Sequence, residues 1–340
     1  MSSTVLRLVL AALLVFPAAW LATFLMLRVL RRRGMLDHPN ARSSHAVPTP
    51  RGGGVAIMAT VLPAWVVIVA LGYTNGAPLS AAAGGGGIAL LSWWDDRGGL
   101  SPALRLVVQA AAIVAGLAAL PGAGAVFQGW LSPTADLLAS AFLWLWFVNL
   151  FNFMDGIDGI AGTEAAAIGL GLALLALIHP AAIGLGAGLL GVTIAAAALG
   201  FLCWNWHPAK LFMGDVGSVP LGYLLGWLLL ALAASGFWAP ALILPLYFLV
   251  DASWTLARRL LRGERIWEAH REHFYQRAVQ KGRSHAAVVR RVALADVALV
   301  GLALWAATGA AWPALALAVA VVGLLLADLS QALRVSRSGA

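Results

Sequence analysis

Apolar runs recur along the whole chain, and most of them are long enough to cross a lipid bilayer. With 61% hydrophobic and 11% charged residues and a mean hydropathy of +0.88, the chain is more apolar than a soluble core of its size requires. A transmembrane helix needs about 20 mostly apolar residues. The sequence therefore predicts an all-α, polytopic membrane helix bundle that forms a single domain over residues 1–340. About 11 spans are expected: 5–27, 53–72, 79–94, 103–121, 136–152, 160–178, 182–203, 217–234, 238–256, 292–310 and 312–330.

The basic residues predict the orientation of this bundle. Of the 22 Lys and Arg residues, all but Arg7 fall at one end of the predicted spans, and an excess of basic residues marks cytoplasmic loops. We expect the N-terminus outside and the C-terminus in the cytoplasm. The net charge of +8 lies in loops beside the bilayer, where membrane lipids are a nearer partner than nucleic acid. We expect no nucleic-acid binding. The predicted cytoplasmic loops are about 31–52, 95–102, 153–160, 204–217 and 257–291.

Aspartates cluster at this same end of the predicted helices. Carboxylates beside a bilayer are costly to desolvate, so they usually handle ions, protons or phosphates. An ion-coupled transporter would place them nearer the bilayer midplane, and a non-catalytic scaffold would not need them. Metal-assisted phosphate chemistry is the interpretation that the clusters favour, and the transporter and the scaffold are the alternatives.

The first cluster is the adjacent pair Asp95 and Asp96 at the end of the third span. Two neighbouring carboxylates repel each other, which raises one pKa or recruits a cation. The pair is therefore a candidate catalytic element. The structural alternative is a helix-terminal pair neutralised by Arg97.

The second cluster repeats polar groups every three residues at the end of the fifth span. Asn149, Asn152 and Asp155 share roughly one helix face at this spacing, and Asp158 follows in a second Asp-Gly step. The two Asp-Gly pairs predict a break in the helix. We expect these side chains to line a polar cavity.

The third cluster lies between the seventh and eighth spans and contains Asn205, Phe212 and Asp215. Magnesium is usually bound by one or two carboxylates together with substrate phosphates, and Asp215 is a candidate for this role. Alternatively, Ser218 is an ordinary helix N-cap and Asp215 pairs with the helix dipole. Phe212 stacks on a base or anchors at the membrane interface.

Two basic loops complete the set of candidate residues. In the first loop His45 and Arg51 precede three glycines, whose exposed N–H groups at a helix start suit a phosphate. In the last loop His270 and His273 are three residues apart, and such a pair binds metal or, when protonated, phosphate. The alternatives are a solvated basic loop and a basic helix lying on anionic lipid.

In this order the motifs resemble those of the polyprenyl-phosphate N-acetylhexosamine-1-phosphate transferase family. The resemblance rests on Asp95-Asp96, on the Asp-Gly-Ile-Asp-Gly-Ile-Ala run, on Phe-Met-Gly-Asp at 212–215 and on His270-x-x-His273. It implies an integral membrane transferase that moves a sugar 1-phosphate from a UDP-N-acetylhexosamine to undecaprenyl phosphate. The segments 36–54 and His-Arg-Glu-His resemble most the branch that initiates O-antigen synthesis. The peptidoglycan branch has consecutive histidines in the last loop, and this chain does not.

The resemblance also implies residue roles, a metal and a location. Mg²⁺, with Mn²⁺ as a substitute, is expected on Asp215 and Asp96, with Asp95 or Asp96 close to the acceptor phosphate. A homodimer in the bacterial inner membrane, with its active site facing the cytoplasm, is also expected. The residues expected to bind the nucleotide, its diphosphate or phosphate groups are Asn149, Asn152, Asp155, Asp158, Asn205, Phe212, His270 and His273. Arg51 and His45, which add positive charge to the first loop, are also expected to bind the substrate.

Overall fold

A computed structural model of the chain describes residues 2–39, 47–122, 125–265 and 270–331. Within these ranges helices account for nearly all regular structure, and β1 (Leu36–Asp37) pairs antiparallel with β2 (Thr49–Pro50). The helices are α1 (Ser2–Arg32), α2 (Gly54–Ala70), α3 (Ala77–Gly98), α4 (Pro102–Ala118), α5 (Pro133–Phe153), α6 (Ile160–Ile178), α7 (Gly184–Asn205), α8 (Asp215–Ala234), α9 (Trp238–Ile243), α10 (Leu246–Leu261), α11 (Phe274–Gln280), α12 (His285–Ala306) and α13 (Ala311–Ser330).

The prediction of an all-α, polytopic membrane bundle is confirmed. Among the described residues six helices are long and apolar enough to cross a membrane, namely α1, α5, α6, α7, α8 and α13, and α2 and α4 are shorter apolar helices. Each predicted span coincides with one helix except the ninth. The exact number of spans and their orientation remain predictions.

The ninth predicted span, 238–256, is two helices rather than one. Helix α9 ends at Ile243 and α10 begins at Leu246, with Pro245 between them, although Leu244 keeps helical backbone angles. Proline lacks an N–H and cannot donate the helical hydrogen bond. The apolar run therefore continues through a break that hydropathy alone does not detect.

Helix α8 is the centre of the bundle, and 94% of its apolar window is buried. Its first turn meets the start of α2 backbone to backbone, because a Cβ on Gly54 would lie 2.2 Å from the Cα of Gly217. Small residues allow such close helix contacts in membrane proteins. This crossing brings the segment just before α2 to the N-terminus of α8, where the candidate site lies.

We expect Gly54→Ala to destabilise the protein, because the added methyl group would overlap the backbone at Gly217. Overpacking of this kind costs about 1–3 kcal/mol, occasionally more. The measurement is the apparent melting temperature of the purified protein, with its recovery as a monodisperse species. Gly87→Ala in α3 is the matched control, since nothing lies within 4 Å of a Cβ built there. Equal melting temperatures for the two variants would contradict the close crossing.

Candidate active site

The segment before α2 is paired with the segment before α8. The N–H of Phe212 donates to the carbonyl of Pro50 at 2.8 Å, and the N–H of Gly53 donates back to the carbonyl of Phe212 at 2.9 Å. Arg51 and Phe212 form a parallel β-bridge. These backbone bonds fix Arg51 beside Asp215, although the two residues are 164 positions apart in sequence.

Arg51 joins two of the predicted aspartates. Its Nη2 lies 2.8 Å from Oδ1 of Asp215 and 3.2 Å from Oδ1 of Asp96. The structure thus brings the ends of α2, α3 and α8 together in one charged cluster, which we call the Arg51 cluster (Arg51, Asp96 and Asp215). An arginine shared between two carboxylates offsets their mutual repulsion and holds both in place.

Asp95 has a different environment from its neighbour. Its Oδ2 lies 2.9 Å from Nη1 of Arg105, and its Oδ1 accepts a hydrogen bond from the N–H of Leu100 at 2.5 Å. Arg105 also approaches Oδ2 of Asp215 to 3.9 Å. Sequence analysis missed Arg105, which lies in the first turn of α4. The short connection between α3 and α4 could have predicted this contact, because it brings the first turn of α4 back to Asp95.

The residues of the Arg51 cluster fit a divalent cation. Oδ2 of Asp96 is buried and has no hydrogen-bond partner among the described residues, and a Cβ built on Gly214 would lie 3.2 Å from it. An orphaned carboxylate oxygen beside the start of α8, where Asp215 is half-buried, is a natural ligand for a hard cation. Asp215 is the first residue of α8, with Gly214 as N-cap, so Ser218 lies inside the helix and is not the N-cap.

An open cavity of about 740 Å³ borders this cluster. Arg51 and Asp96 contribute to its wall, and Arg33 and Asp37 line it from the end of α1 and from β1. The mixture of cationic and anionic side chains suits a phosphate-bearing ligand accompanied by a cation. His45, predicted to bind the substrate, lies outside the described residues.

The residues 154–159, between α5 and α6, bring Asp155 to the same end of the bundle. Burial raises the pKa of the Asp155 carboxyl to about 8; Arg51 opposes the shift, and the charges of Asp215 and Asp158 add to it. Asp155 is therefore close enough to the Arg51 cluster to sense its charges.

We expect the pKa of Asp155 to make stability depend on pH. The folded-state pKa is raised above the ordinary 3.8. The contribution of this group to the free energy of unfolding is therefore fully present below about pH 4 and is lost as the pH rises through about 8. Asp155→Asn cannot ionise. In metal-free buffer, the melting temperature of the variant minus that of the wild type should therefore rise by about 2–4 °C between about pH 6 and about pH 9. Asp328→Asn, at a surface ion pair with Arg283 and Arg291, is the control. Parallel curves for Asp155→Asn and the wild type would contradict the raised pKa of Asp155.

The two predicted asparagines of α5 face different neighbours. Oδ1 of Asn152 accepts a hydrogen bond from the hydroxyl of Ser218 in α8 at 2.5 Å, next to the Arg51 cluster. Asn149 instead donates to Oε1 of Gln109 in α4 at 3.0 Å. The structure places Asn152 at the cluster and Asn149 at a contact between α5 and α4.

Asn205 connects the Asp-Gly segment to the segment before α8. The N–H of Gly159 donates to its Oδ1, and its Nδ2 donates to the carbonyl of Leu211, each at 2.9 Å. Phe212 follows directly and is half-buried. The predicted nucleotide-binding residues of these two segments are thus held in one hydrogen-bonded unit.

Asp158 is held by histidines that sequence analysis did not select. Its Oδ2 lies 2.6 Å from Nδ1 of His207 and 3.2 Å from Nδ1 of His285, and it accepts the N–H of Ala209 at 3.2 Å. Burial opposes ionisation of Asp158, but hydrogen bonds from His285 and His207 hold its pKa below the ordinary value. The carboxylate is therefore ionised and fixed in position.

The predicted histidine motif leads into α11. His273 is only 2% exposed, and its Nδ1 lies 3.4 Å from Oδ1 of Asp251. The ring centroids of His270 and His273 are 4.8 Å apart. Burial, His273 and Arg259 lower the pKa of His270 to about 4, so its ring is neutral at neutral pH. In this state it is a hydrogen-bonding group rather than a cationic phosphate clamp.

Asp251 anchors this motif from inside the membrane bundle. It accepts hydrogen bonds from the N–H groups of Phe274 and Tyr275 at 3.0 and 3.4 Å, which are the first residues of α11. The Tyr275 hydroxyl donates to the carbonyl of Phe153 at 2.9 Å. The histidine loop is therefore docked on the end of α5, beside Asp155. Asp251 could have been selected from the sequence, because an aspartate within an apolar span is costly and therefore usually has a specific role.

Comparisons with known proteins find one matching family model and several relatives. The model of the family "Glycosyl transferase family 4" matches residues 78–233, a range that contains Asp95, Asp96, Asp155, Asp158 and Asp215. The chain is 27% identical to a probable undecaprenyl-phosphate N-acetylglucosaminyl 1-phosphate transferase of Bacillus subtilis over 82% of this chain and 79% of the relative.

Two further relatives cover similar ranges. A decaprenyl-phosphate N-acetylglucosaminephosphotransferase of Mycolicibacterium smegmatis is 29% identical over 92% of this chain and 86% of its own. A phospho-N-acetylmuramoyl-pentapeptide-transferase of Thermosynechococcus vestitus is 29% identical over 69% of this chain and 68% of its own. All three relatives are named as transferases of phosphorylated amino sugars.

Proposed function

The chain belongs to the polyprenyl-phosphate N-acetylhexosamine-1-phosphate transferase family, and from this premise we propose its specific reaction. The donor is a UDP-N-acetylhexosamine and the acceptor is undecaprenyl phosphate. The products are undecaprenyl-diphosphate-sugar and UMP. We propose that this step initiates O-antigen or another cell-envelope glycan at the cytoplasmic face of the bacterial inner membrane, with the enzyme acting as a homodimer.

The observation that carries this proposal is the Arg51 cluster at the helix ends. Two carboxylates, Asp96 and Asp215, share one guanidinium at 3.2 and 2.8 Å beside an open cavity that reaches solvent. This arrangement suits a substrate with several phosphate charges. A purely structural ion pair would not need an orphaned, buried carboxylate oxygen at Asp96.

The reaction requires one phosphorus–oxygen bond to form and one to break. An oxygen of the acceptor phosphate attacks the β-phosphorus of the donor, and the bond between this phosphorus and the bridging oxygen of UMP breaks. The attacking oxygen is already ionised, so no water needs activation. Mg²⁺ held by Asp215 and Asp96 would neutralise the diphosphate charge when bound.

The side chains around the cluster have distinct tasks in this proposal. Arg51 supplies a positive charge where charge develops on the leaving UMP, because fixed charges stabilise such a transition state without reorganising. Arg105 and the N–H of Leu100 fix Asp95 near the acceptor phosphate. The hydrogen-bonded segments around Asn205 and Asp158 hold the uridine side of the donor.

The test is UMP release by the purified full-length protein in detergent. Undecaprenyl phosphate and Mg²⁺ are supplied with a panel of UDP-sugars that covers N-acetylglucosamine, N-acetylgalactosamine and 6-deoxy N-acetyl sugars. We expect release with at least one N-acetylated donor, and none when the lipid is omitted or when the metal is chelated. UDP-glucose is the matched donor that lacks the N-acetyl group. Release from UDP-glucose alone would overturn the assignment to N-acetylhexosamines.

A further inference from the structure

Three side chains from distant parts of the sequence converge outside the Arg51 cluster. Asp158 follows α5, His207 follows α7 and His285 begins α12. Their ligand atoms all lie within 4.8 Å of one another. Two imidazoles and one carboxylate are a donor set suited to zinc and similar transition-metal dications, and different from the all-oxygen set that Mg²⁺ prefers.

We propose that Asp158, His207 and His285 form a binding site for a transition-metal dication of the zinc class, distinct from the magnesium site on Asp215 and Asp96. This site goes beyond the proposed function, although it shares Asp158 with the segment that is proposed to hold the uridine side of the donor. The metal ligands are Oδ2 of Asp158 and the Nδ1 atoms of both histidines. The fourth coordination position remains for water or for a substrate atom.

The distances fit a tetrahedral ion after a small adjustment. With metal–ligand bonds of about 2.0–2.2 Å, neighbouring ligand atoms of a tetrahedral site lie about 3.4 Å apart. The separation of 3.2 Å between Asp158 and His285 is already close to this value. The separation of 2.6 Å to His207 must widen, and the His207 side chain, 36% exposed, has room to move.

Burial also favours a cation at this position. Asp158 and His285 are only 7% and 6% exposed, and charges attract each other more strongly away from water. Both histidines hydrogen-bond to the Asp158 carboxylate through Nδ1. A bound metal ion would replace the protons of these two hydrogen bonds, because a ligating imidazole nitrogen must be deprotonated. The exposed edge of His207 provides an entry path for a metal ion.

The test uses Co²⁺ as a spectroscopic substitute for zinc with the intact, purified protein. Tetrahedral Co²⁺ with nitrogen ligands absorbs visible light far more strongly than octahedral Co²⁺ on carboxylates and water. Excess Mg²⁺ in the buffer occupies the carboxylate site. We expect one equivalent of Co²⁺ to give a strong visible band, with an affinity at least about 10-fold weaker in His207→Gln and in His285→Gln.

Two histidine variants serve as matched controls. His270→Gln alters the other histidine pair, and His38→Gln alters an exposed histidine beside β1; both should keep the band. Gel filtration and melting temperature verify folding. If His285→Gln does not fold, the Co²⁺ band of His207→Gln decides the test, because the His207 side chain is half-exposed. The proposal is overturned if the wild type gives no strong band, or if the band survives in His207→Gln. The Co²⁺ band is measured without UDP-sugar or lipid, so it can be absent whether or not the protein releases UMP, and this proposal and the proposed function fail separately.

Discussion

Asp215→Asn is expected to lower kcat/KM for UMP release by at least about 1,000-fold, because loss of one fixed charge at a phosphoryl-transfer centre has effects of this size. Asp215 is the first residue of α8, and its two oxygens face Arg51 at 2.8 Å and Arg105 at 3.9 Å. The amide has nearly the same volume as the carboxylate, so the crossing of α2 and α8 is preserved. The charge that would hold the metal and position Arg51 is removed.

The measurement is the initial rate of UMP release over a range of Mg²⁺ concentrations, with the melting temperature of the variant as a check on folding. Asp328→Asn is the matched control. It makes the same chemical change in α13, at an ion pair with Arg283 and Arg291 that includes no residue of the Arg51 cluster. We expect its rate to stay within about 2-fold of the wild type. An Asp215→Asn variant that is folded and fully active would remove Asp215 from the metal site.

Arg51→Gln is expected to lower kcat/KM for UMP release by about 100-fold or more, mainly through a lower kcat. Removal of an oriented cationic donor from a site where phosphate charge develops has an effect of this size. The variant also leaves Asp96 and Asp215 without the guanidinium that now lies 3.2 and 2.8 Å from them. Their mutual repulsion then increases the dependence of the rate on Mg²⁺.

Arg51→Lys separates charge from geometry. A lysine keeps the positive charge but does not present the planar fork of donors that lets one side chain bridge two carboxylates. We expect it to recover part of the loss, with a rate between those of Arg51→Gln and the wild type. Arg290→Gln, an exposed arginine of α12, is the control for loss of one positive charge. A kcat that is unchanged in Arg51→Gln would show that Arg51 does not stabilise the charge on the leaving UMP.

The sequence was sufficient for the parts of the fold that depend on local hydropathy. Runs of apolar residues located the helices, and the positions of Asp95, Asp96, Asp155 and Asp215 at one end of them indicated where a polar site would form. The break at Pro245 was missed because the residues on both sides are apolar. Hydropathy measures composition, and it does not detect the loss of helical hydrogen bonds at a proline.

The contacts that organise the site could not be predicted from local sequence patterns. Arg51 meets Asp215 only because two glycines, Gly54 and Gly217, let α2 and α8 touch. Likewise, His285 reaches Asp158 across 127 residues. Such pairings depend on how helices pack against one another. Asn149 shows the converse, because its periodic spacing placed it with Asn152 on one helix face, yet it bonds to Gln109 of α4.

Transfer of the β-phosphate tests the central claim most directly. A UDP-N-acetylhexosamine labelled with ³²P at the β-phosphate is incubated with the purified protein, undecaprenyl phosphate and Mg²⁺, and the products are separated into lipid and aqueous fractions. The proposed reaction moves the labelled phosphate with the sugar, so we expect the label in the lipid fraction and unlabelled UMP in the aqueous one. Label recovered as UDP, with sugar on the lipid, would mean glycosyl transfer without phosphate and would contradict the proposed reaction.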